Sequence, residues 1–173
     1  MILVRHGESE FNAVYAVTRK DPGIVDPAIT ENGRRQALAA ADRLRARPPK
    51  RLICSPYTRA LETAAVISGA LDLPVAVDPL IGEHAVFTCD VGTMAADLRD
   101  RWPDFDFTGV TNQWWPDIAE SEIDLIGRCA AFRARMAARD DWRQIAIVTH
   151  WGFIRGLTGL AVGNAELVAF DPS

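Results

Sequence analysis

The chain has 173 residues, of which 49% are hydrophobic and 24% charged, and its formal net charge at pH 7 is −4. A chain of this length fits one domain, residues 1–173, and can bury about two-thirds of the surface that it exposes when unfolded. The negative charge argues against nucleic acid and against an anionic membrane surface as partners.

Cysteine usage and hydropathy indicate the compartment. Cys54, Cys89 and Cys129 have no metal-ligand spacing and suit a reducing environment. No apolar run reaches the length that a membrane span needs, and the first strand begins without a leader sequence. We therefore expect a cytoplasmic protein, while the oligomeric state stays open.

Five short apolar runs predict β-strands. Runs without polar alternation are typical of parallel strands that are covered on both faces. The segments between them carry apolar residues at helical spacings of three and four. The predicted strands cover residues 1–4, 52–54, 75–77, 145–149 and 167–170.

Four helices are predicted between these strands. Thr30 is a good cap for the first helix, and Ser55 for the second, where Pro56 suits the first helical position. The helices cover residues 30–47 and 57–71, and the last two start near residues 120 and 153. The residues expected on the inner faces are Ala37, Ala41 and Leu44 in the first helix, and Ile123, Ile126, Ala130, Ala134 and Ala137 in the third.

The alternation of strands and helices predicts the architecture. It favours an α/β fold, a three-layer α/β/α sandwich around a mostly parallel sheet. The least regular region, residues 84–120, is predicted to form a small cap segment over a pocket.

Cationic or proton-carrying side chains follow three of the predicted strands. Arg5 and His6 end the first strand, Arg59 lies in the opening turns of the helix after the second, and His150 ends the fourth. Ligands of open α/β sheets bind beyond the carboxyl ends of the strands. If these strands are neighbours, the four groups surround one point and would repel one another unless an anion were bound there.

Phosphate suits this group best. Guanidinium groups bind phosphate oxygens through paired N–H donors and stay charged at physiological pH. A histidine between two arginines has a depressed pKa, so His6 is expected to be neutral, with a lone pair available for attack on phosphorus. The residues thus indicate a phosphate pocket with a histidine nucleophile.

An ordered set of motifs spans nearly the whole chain. They are Leu3-Val-Arg-His-Gly-Glu-Ser9 with Asn12, Ile29-Thr-Glu-Asn-Gly33 with Gln36-Ala37, Ser55-Pro-Tyr-Thr-Arg-Ala60 with Thr63-Ala64, Glu83, and Val148-Thr-His-Trp-Gly152. This set resembles the histidine phosphatase superfamily, also called phosphoglycerate mutase-like. The resemblance implies a phosphomonoester hydrolase that acts on a small phosphorylated substrate through a phosphohistidine, with no metal and no cofactor.

The resemblance also implies roles for particular residues. His6 is the nucleophile that it implies, Glu83 is the general acid, and Asn12 lies at the pocket edge. Arg5, Arg59 and His150 are the rest of the implied phosphate pocket. Two features depart from the family pattern: Trp151 follows the second histidine in place of a small residue, and His84 follows Glu83. Asp90 is a competing acid.

Three other functions remain open. A phosphoglycerate mutase would have to grip a second anionic end, whereas residues 85–121 carry seven acids and two arginines, so hydrolysis is favoured. A non-catalytic phosphate-binding module would use the same pocket without turnover. A cysteine phosphatase needs five residues between Cys and Arg, but four separate Cys54 from Arg59.

Aromatic residues are concentrated in the predicted cap. They either pack the cap onto the body or line the pocket entrance and favour an uncharged or aromatic leaving group. The residues concerned are Trp102, Trp114 and Trp115, with Phe105 and Phe107 nearby.

Overall fold

The computed structural model describes residues 1–117 and 119–173, and a five-stranded sheet lies at its centre. The strand order is β3-β2-β4-β1-β5, in which β5 alone is antiparallel to its neighbour. The strands are β1 (Ile2–Arg5), β2 (Arg51–Cys54), β3 (Val75–Val77), β4 (Ile145–Thr149) and β5 (Leu167–Ala169).

Six helices accompany the sheet. Helices α2, α3 and α4 bury their apolar residues against one face, and α5 and α6 against the other. The helices are α1 (Glu10–Thr18), α2 (Glu31–Leu44), α3 (Thr58–Leu71), α4 (Ala95–Arg101), α5 (Glu122–Ala137) and α6 (Trp151–Thr158). The predicted α/β/α fold with a mostly parallel sheet is confirmed.

The sheet is apolar because its strands are covered on both faces. All five residues of β4 are buried, and neighbouring residues of β1 face opposite layers, with Leu3 packing on the α5–α6 side and Val4 on the α2–α3 side. Within the described residues, no helix combines the length and apolar composition needed to cross a lipid bilayer.

The register of the sheet brings three strand ends together. Arg5 pairs with Thr149 across β1 and β4, and Cys54 pairs with Val148 across β2 and β4. The carboxyl ends of these three parallel strands are therefore level, and the segments that follow them meet at one edge of the sheet.

Helix α3 begins differently from the prediction. Its N-cap is Tyr57, and the N–H of Thr58 donates to Oδ1 of Asp26, 2.8 Å away, in a distant loop. The predicted cap Ser55 was wrong, because its hydroxyl lies 2.8 Å from Nε2 of His150. A long-range contact thus replaces the local cap.

Helix α5 turns the opposite face to the core from the one predicted. All five residues of the predicted inner face are exposed, Ile123 at 81% and Ile126 at 55%. Bulkier residues at the same kind of spacing cover the sheet instead, because they bury more apolar area. The buried residues are Leu125, Cys129, Phe132 and Met136.

Other boundaries differ by a few residues. Helix α2 ends at Leu44, three residues early, and α6 starts at Trp151, two residues early. Helix α1 follows the first motif, where no helix was predicted. Its cap Ser9 accepts from the N–H of Asn12, whose side-chain Oδ1 accepts from the N–H of Ser9.

The loop after β1 packs backbone to backbone on the start of α2. The N–H of Thr30 donates to Glu8 O at 2.8 Å, and Gln36 Oε1 accepts from the N–H of Glu8 at 2.8 Å. A Cβ atom on Gly33 would overlap the carbonyl oxygen of Glu8, and one on Gly7 would lie 2.5 Å from Gly33 O. Both glycines are needed for this close approach.

We expect Gly33→Ala to lower the free energy of unfolding by about 1–3 kcal/mol, because backbone on both sides must move to admit the methyl group. Urea unfolding at equilibrium measures the change. Gly69→Ala in α3 is the matched control, because no atom lies near its Cβ and the substitution should stabilise by about 0.4–1 kcal/mol. A stability loss no larger for Gly33→Ala than for the control would contradict this packing.

Candidate active site

A cavity of about 570 Å³ lies at the edge where the three strand ends meet. Arg5, His6, Arg59 and Glu83 all line it. His150 lies behind the cavity wall, fully buried, with its ring centroid 5.1 Å from that of His6. The structure therefore brings together the four groups that follow the strands, as the sequence predicts.

His6 is held in one tautomer. Its Nδ1 lies 2.7 Å from the carbonyl oxygen of Gly7, and because a carbonyl only accepts, Nδ1 must carry the proton. The lone pair of the neutral ring is then on Nε2. Burial, followed by the charges of Arg59 and Arg5, lowers the pKa of His6 well below its usual value, so the ring is neutral near pH 7.

His150 is neutral for similar reasons. Burial, followed by the charge of Arg59, lowers its pKa well below the usual value. Its Nε2 lies 2.8 Å from Ser55 Oγ, whereas its buried Nδ1 has no partner in the part of the chain that the structure describes. A serine hydroxyl that donates to Nε2 leaves the ring proton on Nδ1, where it can be donated to a ligand.

The two guanidinium groups are held differently. Arg59 is buried and ion-paired, with Nη2 3.0 Å from Asp90 Oδ1 and Nη1 donating to Cys89 O at 2.8 Å. Arg5 donates from Nη1 to Val162 O at 2.8 Å, and its buried Nε has no partner among the described residues. One cation is thus offset by a carboxylate, and the other keeps an unused donor.

Glu83 and Asp90 have different environments. Asp90 uses both oxygens, since Oδ1 accepts from Arg59 and Oδ2 accepts from the N–H groups of Val86 and Phe87 at 3.0 Å. In Glu83, the hydrogen bonds among the described residues go to one oxygen: Oε1 accepts from the N–H of Gly152 at 2.7 Å and from the N–H of His84 at 2.9 Å. Burial and then the charge of Asp90 raise the pKa of Glu83. Glu83 is therefore the carboxyl better suited to carry a transferable proton.

Arg128 of α5 holds the loop that carries Glu83. Its guanidinium donates to the carbonyl oxygens of Leu80 and Gly82 at 2.8 Å and of Glu83 at 3.1 Å. Glu120 pairs with the same guanidinium at 2.7 Å. Sequence reasoning missed Arg128, because nothing local separates it from the other arginines of α5.

Thr63 and Asn164 hold together the segments that carry the site residues, and the sequence did not predict this role for either. Thr63 of α3 accepts the N–H of Gly7 at 3.0 Å and donates to Arg59 O at 2.7 Å. Asn164 donates to His6 O at 3.2 Å and to Asn12 Oδ1 at 3.0 Å. Since the oxygen of the Asn12 carboxamide is used, its NH₂ group is the end that can donate into the cavity. Thr63 belongs to a recognised motif, whereas Asn164 had no sequence signal.

Three of these side chains could in geometry hold a metal ion. His6, Glu83 and His150 each offer a donor atom, and the three atoms lie within 4.8 Å of one another. The guanidinium groups of Arg5 and Arg59 share the same low-dielectric region and would repel a cation. An oxyanion therefore fits this set of donors better than a metal.

Aromatic side chains line the outer part of the cavity, but they are not the predicted tryptophans. Trp114 donates from Nε1 to Thr93 O at 2.8 Å and packs edge-on against Tyr57. Trp102 stacks on Phe105 in the core. Of the two roles considered for the cap tryptophans, packing onto the body therefore holds for Trp102 and Trp114, and no tryptophan of the cap is among the described residues that line this cavity. The aromatic residues that line the cavity are Phe11, Tyr15, Phe87 and Trp151.

The described residues of the segment 84–120, predicted as a cap, divide into two parts. From this segment, residues 84, 86, 87, 89 and 90 line the cavity. The part around α4 packs instead at the edge of the sheet, where the N–H of Val77 donates to Asp106 O at 2.8 Å. Ile118, also within the predicted segment, lies outside the described residues.

Cys54 does not approach the cavity. It is fully buried in the core between β2 and the α2–α3 layer, and burial raises the pKa of its thiol. A thiol in that position is neither ionised nor accessible, so the cysteine phosphatase alternative is wrong.

Comparison with known proteins identifies the family. The sequence model of the histidine phosphatase superfamily (branch 1) matches residues 1–171, and the chain belongs to this superfamily. The predicted family and the prediction of a phosphatase-type enzyme are thereby confirmed.

Several relatives resemble this chain over most of its length. Glucosyl-3-phosphoglycerate phosphatase of Mycolicibacterium vanbaalenii is 28% identical, over 94% of this chain and 74% of that protein. Phosphoglycerate mutase-like protein 4 of Arabidopsis thaliana is 30% identical, over 97% and 73%. The structure of mycobacterial glucosyl-3-phosphoglycerate phosphatase in complex with VO3 has a TM-score of 0.66 and 25% identity, over 96% and 88% of the two chains.

We expect Asp90→Ala to lower the free energy of unfolding by about 3–5 kcal/mol, because it leaves the buried guanidinium of Arg59 without its counter-charge. Chemical denaturation monitored by tryptophan fluorescence measures the loss. Asp42→Ala, which removes an exposed pair with Arg45, is the control and should cost less than about 1 kcal/mol. Equal small losses in both variants would show that the Asp90–Arg59 pair is not stabilising.

Proposed function

We propose that this protein hydrolyses phosphomonoesters through a phosphohistidine formed on Nε2 of His6. Among the described residues, three buried side-chain nitrogens have no hydrogen-bond partner: Nε1 of Trp102, which lies away from the site, and Nε of Arg5 and Nδ1 of His150, which carry the proposal. Both belong to the groups that surround His6. Buried polar groups are rarely left without a hydrogen bond, and a phosphoryl group bound at His6 would accept from both.

The first step transfers the phosphoryl group to the enzyme. The lone pair on Nε2 of His6 attacks phosphorus, the N–P bond forms, and the ester P–O bond breaks. Glu83 gives its proton to the leaving oxygen, which departs as the alcohol. Arg5, Arg59 and His150 stabilise the charge on the other phosphoryl oxygens, and the NH₂ group of Asn12 donates at the edge.

The second step releases phosphate. Water attacks the phosphohistidine, and the Glu83 carboxylate now takes the proton of that water. The N–P bond breaks, its electron pair returns to Nε2 of His6, and inorganic phosphate leaves. The hydrogen bond from Nδ1 to Gly7 O holds the ring in the same tautomer throughout both steps. No metal takes part in this sequence.

Hydrolysis is favoured over mutase transfer by the cavity lining. A mutase must hold a phosphoglycerate at two anionic ends. Apart from Arg5 and Arg59, Arg19 is the one arginine or lysine among the described residues that line the cavity, and its side chain is solvent-exposed. A binding module without turnover would not need a carboxyl with a raised pKa next to the histidine.

We expect His6→Ala to reduce hydrolysis of 4-nitrophenyl phosphate at least about 10³-fold, because no other group can accept the phosphoryl group. Stopping the wild-type reaction with ³²P-labelled substrate should trap a protein-bound label that is labile in acid and stable in base, and His6→Ala should lack it. Cys54→Ala should keep both activity and label. Label retained in His6→Ala would overturn the proposal, as would full activity after that substitution.

We expect the pH profile of kcat/KM to be bell-shaped, with the acidic limb set by His6 and the basic limb by Glu83. Activity falls as pH drops through the lowered pKa of His6, because the protonated ring cannot attack. It falls again as pH rises through the raised pKa of Glu83, because the carboxylate has no proton to give. Glu83→Gln should remove the basic limb and lower kcat for an alkyl phosphate by about 10²–10⁴-fold.

The leaving group provides the control for this experiment. The 4-nitrophenolate ion is stable without a proton, so Glu83→Gln should slow phosphorylation by 4-nitrophenyl phosphate far less than phosphorylation by an alkyl phosphate. Single-turnover rates separate this step from the hydrolysis that follows. Equal losses for both substrates in the first step would exclude Glu83 as the proton donor.

A further inference from the structure

We infer that the site selects phosphomonoesters of uncharged alcohols that carry an aromatic ring, with Phe87 as the main contact. This inference rests on the hydrolysis proposed above. It concerns the part of the substrate that leaves as the alcohol and not the phosphoryl group. The structural basis is an aromatic wall, formed by Phe11, Tyr15 and Phe87, in the same cavity as His6.

The three rings of the aromatic wall contact one another. The ring centroids of Phe11 and Tyr15 are 5.3 Å apart, those of Phe11 and Phe87 are 5.4 Å apart, and those of Tyr15 and Phe87 are 5.6 Å apart. These are the separations at which aromatic pairs attract. Each ring is therefore held in place by the other two, and the wall is formed before a ligand arrives.

Apolar surface at this wall is left exposed to solvent. Phe87 is 40% exposed, and Trp151, which lines the same cavity, is 37% exposed. Exposed apolar surface around a concave site is typical of a ligand-binding site. A ring bound there would remove this surface from water, and its attached phosphoryl group would be anchored at His6.

The size of the cavity agrees with such a ligand. Pockets for small organic molecules have volumes of about 300–1,000 Å³, and the cavity here has about 570 Å³. A phosphoryl group fills only a small part of it. The rest of the cavity, which the aromatic wall lines together with His6, is large enough for one ring with a short linker.

Charge disfavours an anionic alcohol. Arg19, at the C-terminal end of α1, is exposed, so its attraction for a carboxylate is screened by water. Of the seven acids in residues 85–121, Asp90 alone is among the described residues that line the cavity, and it is paired with Arg59, so this segment adds no free cation for a second anionic group. The carboxylate of a phosphoglycerate therefore gains little binding energy from the cavity lining, whereas an uncharged ring gains apolar contact with the aromatic wall.

The inference can be tested with three alkyl phosphates whose leaving groups are all primary alcohols. We would measure kcat/KM by phosphate release from 2-phenylethyl phosphate, ethyl phosphate and 3-phosphoglycerate. We expect 2-phenylethyl phosphate to exceed 3-phosphoglycerate by at least about tenfold. All three are esters of primary alcohols, so the comparison reports on binding of the alcohol.

Variants of Phe87 locate the effect. Phe87→Ala should lower kcat/KM for 2-phenylethyl phosphate by about tenfold and that for ethyl phosphate by less than about twofold. Phe87→Leu, which keeps apolar area without a ring, should give an intermediate loss. Phe170→Ala makes the same truncation at a partly buried position outside the cavity and should change neither value by more than about twofold.

Each outcome decides between the two proposals. Faster hydrolysis of 3-phosphoglycerate would overturn the ring preference and leave hydrolysis intact. Equal effects of Phe87→Ala on 2-phenylethyl and ethyl phosphates would overturn the role of Phe87 in the same way. If neither these esters nor 4-nitrophenyl phosphate is hydrolysed, the proposed function fails, and this inference fails with it.

Discussion

Arg5 and Arg59 place two fixed positive charges beside two buried imidazoles at one end of the cavity. Burial, followed by the charge of Arg59, lowers the pKa of both histidines well below the usual value, so both rings stay neutral beside guanidinium groups that keep their protons. Asp90 offsets the charge of Arg59, whereas Nε of Arg5 finds no hydrogen-bond acceptor in residues 1–117 and 119–173. This concentration of positive charge explains why an oxyanion fits the site, and burial together with that charge leaves the lone pair on Nε2 of His6 free near pH 7.

This concentration of like charge requires a stiff scaffold. The three parallel strand ends are level because of their register, and the loop after β1 is held against α2 by contacts between backbone atoms. Arg128 holds Glu83 in place, because its guanidinium donates hydrogen bonds to three carbonyl oxygens of the loop that carries this residue. Preorganisation of this kind is what electrostatic stabilisation of a transferring phosphoryl group needs.

Superfamily membership accounts for the cluster of Arg5, His6, Arg59 and His150, and the selectivity proposed above depends on side chains farther from His6. In this chain, Phe87 and Trp151 present partly exposed apolar surface beside the cradle. The tryptophans that looked suitable in the sequence pack elsewhere, because Trp114 finds a hydrogen-bond partner in Thr93 and Trp102 a stacking partner in Phe105. One fold can therefore bind different substrates through changes confined to the side chains that line the cavity away from His6.

The sequence by itself determined the strands, their α/β alternation and the residues that follow the strand ends, since apolar periodicity and chain order are local properties. It placed Arg5 and His6 correctly for that reason. The tertiary structure alone decided which stripe of α5 faces the core, where Leu125 is buried and Ile123 exposed, because both stripes have helical spacing and only packing distinguishes them. It also decided that Asp26 caps α3, because that contact joins residues far apart in the chain.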